Sequence, residues 1–155
     1  MAPLWIMKRD VIISIKGVQA DRGERDNIEL ITEGTLYRKK DKYYISYVES
    51  EVTGLSGRTT LKVEDQKVTM VRTGKTGTQM VFEQGKRYLS HYDTGFGIFN
   101  IGVNTQSIKN NIGDCGGSLK VRYTIDINNE LATSSSFHIS VKEALPVNAE
   151  HNTVS

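Results

Sequence analysis

This sequence predicts an all-β fold, a single antiparallel up-and-down β-barrel of about ten strands, and three observations predict it. Short stretches of alternating apolar and polar residues recur down the chain. Nearly every gap between them holds Gly, Asp or Asn. No stretch carries the i, i+3, i+4, i+7 spacing of an amphipathic helix. The clearest alternation is Leu119-Lys120-Val121-Arg122-Tyr123-Thr124-Ile125-Asp126-Ile127. Neighbouring side chains on a strand point to opposite faces, so this stretch has one dry face and one wet face.

Asp10–Ala20 reads as the first strand, with Val11, Ile13 and Ile15 on one face, and the run from Asp21 to Asn27 as a polar turn. Ile28–Lys40 follows, with Gly34 as a bend or bulge. Asp41 and Lys42 turn the chain into Tyr43–Val52, and a loop leads to Arg58–Glu64. Asp65-Gln66 makes a short hairpin to Lys67–Thr73. Thr78–Glu83, Lys86–Tyr92, Ile98–Asn110, Ser118–Ile127 and Leu131–Lys142 complete the set. The only prolines, Pro3 and Pro146, lie outside every strand, as they must where each N–H is needed for a ladder. Connections this short make sequence neighbours spatial neighbours, and a meander of this length closes to remove its edges. A calycin-type barrel fits best, with a two-sheet sandwich as the alternative. The barrel occupies 10–144, with an extension over 1–9 and a frayed tail over 145–155.

At 155 residues the chain has the length of one domain, able to bury roughly two-thirds of the surface its unfolded form exposes. Its 20 basic and 18 acidic residues leave a net charge of +2, against the strong, clustered excess of a nucleic-acid binder. One cysteine, Cys115, excludes an internal disulfide and fits a reducing, cytoplasmic location. The opening Met1–Met7 precedes Lys8 and Arg9, the reverse of a secretory signal. No apolar run approaches the ~20 residues of a membrane span.

Gly113-Asp114-Cys115-Gly116-Gly117 resembles the nucleophile loop of chymotrypsin-like proteases, with His91 and Asp93 upstream. That chemistry needs an imidazole beside the sulfur and a far longer, two-barrel chain. A glycine-rich turn is the better reading. Gly74-Lys75-Thr76 ends like a phosphate-binding loop, but no helix follows to receive the phosphate. His91, His138 and His151 lack metal-ligand spacing with the single cysteine, so neither metal nor cofactor is expected. Arg38-Lys39-Lys40 with Lys42, Tyr43, Tyr44 and Tyr47 mixes cations and aromatics as an RNA-contacting face would; a solvated turn before a strand with alternate core tyrosines explains it more simply. Two stripes are harder to dismiss. Val68, Met70 and Arg72 share a face, as do Tyr43, Ile45, Tyr47 and Glu49. Each ends in a charge, either at the barrel rim or inside as a pair.

An ordered set of residues adds a resemblance. Tyr47 and Glu49, Gly54, Val71-Arg72-Thr73-Gly74, Gln79, Phe82, Tyr92, Thr94, Phe96-Gly97, Thr105, Ile108 and a Gly-rich turn before Tyr123 follow one another over about residues 10–142. In this the chain resembles the YwiB family of small bacterial calycin-like barrels. The resemblance implies a lipocalin-like barrel, bacterial and intracellular, and carries over no catalytic residue. Fatty-acid binding is not implied, because Arg122 and Tyr123 are adjacent and point oppositely. The expected function is a non-catalytic barrel with a small molecule in its lumen. The candidate ligand residues are Tyr47, Glu49, Arg72, Tyr92, Thr105 and Tyr123. An interaction module working through an outer face or strand edge is the alternative, and a thiol enzyme at Cys115 the third.

Overall fold

The alternating stretches form ten strands: β1 (Trp5–Asp21), β2 (Glu24–Lys39), β3 (Lys42–Val48), β4 (Gly57–Val63), β5 (Lys67–Gly74), β6 (Thr78–Glu83), β7 (Arg87–Asp93), β8 (Ile98–Asn110), β9 (Gly116–Ile127) and β10 (Glu130–Glu143). The computed structural model describes residues 5–21, 23–48, 57–74, 77–93 and 96–144; for 5, 6, 74, 91–93 and 132 it describes the backbone alone. No helix occurs among the described residues.

The strands join into one sheet in the order β6-β5-β4-β3-β2-β1-β10-β9-β8-β7, every pairing antiparallel. β1 pairs with β10 from Val11↔Glu143 to Ala20↔Ser134, so the first and last strands lie side by side. The seam falls between β6 and β7, the end strands of the sheet. It is bridged by isolated contacts: the Tyr88 hydroxyl donates to the Glu83 carboxylate, and Ser90 Oγ donates to the Gln79 carbonyl. Gly85 N–H also donates to the Thr105 carbonyl at 2.9 Å. The result is a nearly closed barrel.

Period-two burial builds the core. Val11, Ile13, Leu36, Ile45, Leu61, Val68, Phe82, Leu119 and Val121 all point inward and are buried. Phe82 crosses the lumen from β6, with its ring 4.8 Å from Tyr123 on β9 and 5.5 Å from Phe137 on β10, both edge-to-face. That geometry suits the ring quadrupoles.

Three sequence expectations need correction. β1 starts at Trp5 rather than Asp10, with Met7 opposite Arg38 and Arg9 opposite Leu36. The alternation was hidden because Arg9 holds an apolar-parity position, where it pairs with Glu143 at 2.8 Å. The turn expected over Asp21–Asn27 shrinks to the short segment around Gly23 between Asp21 and Glu24, since β2 already begins at Glu24. Residues Glu24–Glu29 are exposed throughout, so this hairpin arm has no dry face to leave an apolar signature. Gly34 is neither a bulge nor a break in register. A Cβ there would lie 2.4 Å from Ile13 Cδ1 and 2.5 Å from the Ser46 carbonyl oxygen, so glycine serves close packing. The third strand is described as far as Val48, and the tail over 145–155 lies outside the described residues.

Candidate functional site

Antiparallel register puts polar tips in two rows on the inner surface. Residues directly opposite one another share a face. One row runs Tyr47, Thr59, Arg72, Thr78 across β3, β4, β5 and β6. The other runs Thr105, Tyr123, Ser135 across β8, β9 and β10. Tyr47 is buried at 6% exposure and Thr59 is wholly buried. Arg72 is half-buried, and its Nε donates to Thr59 Oγ1 at 3.4 Å. Tyr123 is bonded to Ser135, and burial pushes its hydroxyl above the usual tyrosine range against that bond's opposite pull.

Thr105 is the unusual member. It is 3% exposed, and its Oγ1 is buried with no hydrogen-bond partner. Its backbone is fully used, accepting from Gly85 N–H and donating to the Lys86 carbonyl at 3.2 Å. It borders the register shift between Thr105 and Ser107. An unpaired buried hydroxyl costs about 1–3 kcal/mol.

Of the six sequence candidates, the structure sets Tyr47, Arg72, Thr105 and Tyr123 on the inner face. Glu49 lies outside the described residues. Tyr92 is described by its backbone alone, which pairs with Phe99. Sequence reasoning missed Thr59 and Ser135. Each is a small polar residue at an inward parity position, a signal visible only once the ladder partners are known.

The Gly113–Gly117 motif has a different role. The β8–β9 connection reaches across one barrel end to β2, β3 and β4. There Asp114 accepts from Arg38 Nη1 at 3.3 Å and from the Tyr43 hydroxyl at 2.7 Å. Asn110 Nδ2 donates to the Glu64 carbonyl at 3.1 Å, and Ile112 is buried beneath the loop. The bond to Asp114 holds the Tyr43 hydroxyl above its ordinary range. Cys115 is exposed and free. His91 pairs with Asn100 near the start of β8, whereas Cys115 follows the end of β8. The two therefore stand at opposite ends of a strand, about 30 Å apart at ~3.3 Å per residue. That separation excludes a catalytic pair.

The basic run around Arg38 is likewise occupied. Arg38 is bound to Asp114, Lys42 lies 3.5 Å from Glu64, and Tyr44 stacks on Tyr37 at 4.9 Å between ring centroids.

On the outer wall, Arg87 forms a two-pronged pair with Asp126, Nη2–Oδ1 at 2.7 Å and Nε–Oδ2 at 3.1 Å. Asn104 Nδ2 donates to the same carboxylate at 3.1 Å. Gly102 makes room for this, since a Cβ there would lie 2.4 Å from Arg87 Nη2. The hydrogen bonds from Arg87 hold the Asp126 carboxyl below the usual aspartate range, against desolvation. A depressed folded-state value gives stability that is present above the unfolded pKa and lost as pH falls through the folded one. Asp126→Asn is therefore expected to be less stable than the parent at pH 7. The gap should close in urea titrations taken progressively below about pH 4. A gap unchanged at pH 2 would remove the charge from the explanation.

Residues 13–139 match a family described as a domain of unknown function, DUF1934. The chain belongs to the DUF1934 family. Among its relatives is the uncharacterised β-barrel protein YwiB of Bacillus subtilis (strain 168), 28% identical over 120 residues, which are 77% of this chain and 84% of YwiB. The crystal structure of the Bacillus subtilis ywiB protein superposes with a TM-score of 0.82 at 23% identity, covering 92% of this chain and 96% of that one. The DUF1934 match spans β-strands from both walls of the lumen, so the two polar rows lie within the family domain.

Proposed function

We propose that this DUF1934 barrel is a non-catalytic, calycin-like binding protein that takes a small molecule with an anionic or carbonyl group against its inner wall. The observation that carries the reading is the buried, unpartnered Thr105 hydroxyl beside Tyr123. Buried hydroxyls are nearly always satisfied, and one that is not points to a group supplied from outside the chain. Arg72 would face the ligand's charged or carbonyl end, with a planar fork suited to carboxylate or phosphate. Tyr47 and Tyr123 would supply apolar walls with hydroxyl tips. Glu49 is the candidate to orient Arg72, and Tyr92 a further wall. Such a site, mostly apolar with a few convergent polar groups, is the usual form of a small-molecule pocket. The single exposed thiol fits a reducing, cytoplasmic compartment.

Native mass spectrometry of the purified protein tests this. A co-purifying small molecule is expected, lost in both Arg72→Met and Thr105→Val. Thr105→Val removes an unpaired buried hydroxyl, so the ligand-free variant should match or exceed the parent in stability, by up to about 1 kcal/mol. Full retention of the molecule in both variants, or a strongly destabilised Thr105→Val, would overturn the site.

A further inference from the structure

The outer face of β8, β9, β10 and β1 carries basic side chains in register. Lys109 stands opposite Lys120, Lys120 opposite His138, and His138 opposite Lys16. Arg122 is the next outward residue after Lys120 along β9, and Lys142 lies two outward positions beyond His138 on β10. Lys16, Lys109, Lys120, Arg122 and Lys142 are all exposed. Lys16 has an acidic neighbour in Glu29 at 3.9 Å. The other four make no ion pair among the described residues. Acidic side chains on this side are Asp10, Glu29 and Glu33 along the border on β2 and the start of β1, and Asp126 farther along β9, where Arg87 pairs with it.

Like charges directly opposite in an antiparallel ladder destabilise it. With 18 acidic residues against 20 basic ones, composition does not force this clustering. The floor between the cations is serine: Ser118, Ser140 and Ser14 form one row, and Ser136 stands opposite Arg122. Short hydroxyls let an anionic chain approach the sheet while the long cations reach around it.

We propose that this face binds the phosphate backbone of a nucleic-acid duplex without reading its bases. At the ~4.8 Å spacing of neighbouring strands, the four-strand row is about 14 Å long. A duplex carries one charge per ~1.7 Å of axis, so a row of that length meets several phosphates. No Phe, Tyr or Trp stands among the outward positions of this row, and the one imidazole, His138, does not make the run of stacking rings that a single-strand binder uses. The row itself holds no apolar side chain, and its neighbours Ile12 and Val18 are half-buried. Ile31, opposite Ser14 on β2, is exposed at 73%, but one such residue gives no apolar face to seat in a lipid interface.

Fluorescence anisotropy with labelled 20-base-pair DNA and RNA duplexes, read over a salt series, tests the assignment. Binding is expected with a log–log salt slope of about −4, one phosphate for each of four to five cations. Lys109→Gln combined with Lys120→Gln should weaken affinity at least tenfold and flatten the slope by about 1.8. Lys62→Gln, a cation on the outer face of β4, should change neither, and Thr105→Val should leave duplex binding intact while emptying the lumen site. No binding at 50 mM salt, or equal weakening by Lys62→Gln, would overturn the proposal. So would capture by vesicles containing 30% phosphatidylserine with the duplex ignored, which would reassign the face to a membrane surface.

Discussion

Phe82→Ala is expected to lower folding stability by about 3–5 kcal/mol, the range for truncating a fully buried phenylalanine. Phe82 is 0% exposed and supplies the ring that spans the lumen to Tyr123 and Phe137. Its removal loses its own burial and one edge-to-face contact to each of Tyr123 and Phe137, which keep only their 6.1 Å contact with each other. Each lost pair is worth about a further 0.5–1.5 kcal/mol. The β6–β7 seam adds to the sensitivity, because no ladder holds it and core packing must supplement its isolated hydrogen bonds. Urea denaturation monitored by tyrosine fluorescence would show the midpoint fall. A loss below about 1 kcal/mol would mean that the lumen is loosely filled at this level. By comparison, Val121→Ala should cost about 2–4 kcal/mol, whereas Ile127→Ala should cost little, since Ile127 is 40% exposed beyond the barrel wall.

Gly117→Ala should be similarly disruptive for a different reason. Gly117 has φ of +136°, and a Cβ there would lie 2.0 Å from the Asn111 carbonyl oxygen. The conformation alone costs about 1–3 kcal/mol for a residue with a side chain, and the overlap with backbone adds to it. The loop carrying Asp114 would have to lift away, loosening its bonds to Arg38 and Tyr43. Cys115→Ser, two positions earlier and exposed, should leave the melting temperature unchanged. If Gly117→Ala also melts normally, the loop does not brace the barrel end. If Cys115→Ser alone is damaging, the thiol has a role beyond a turn.

The strand count, nearly all the strand positions and the inward stripe of Leu119, Val121 and Tyr123 were legible in the chain itself. Alternation and turn residues are local properties, and a one-residue slip would invert every buried face. The same locality explains where the reading stopped. Arg9 masked the start of β1 because its carboxylate partner, Glu143, is supplied from the far end of the chain. The exposed arm of β2 resembled a turn because a strand wet on both faces has no alternation to detect. Asp126 passed as an ordinary outward residue until Arg87 and Asn104 were set beside it. The seam, the polar rows and the cation row depend on which strands become neighbours. A net charge of +2 is silent about segregation, and only the pairing of Lys109, Lys120, His138 and Lys16 gathers the charge on one face. Periodicity determines which face of each strand is dry. Register between distant strands, set by the packing of the whole barrel, decides which polar groups meet.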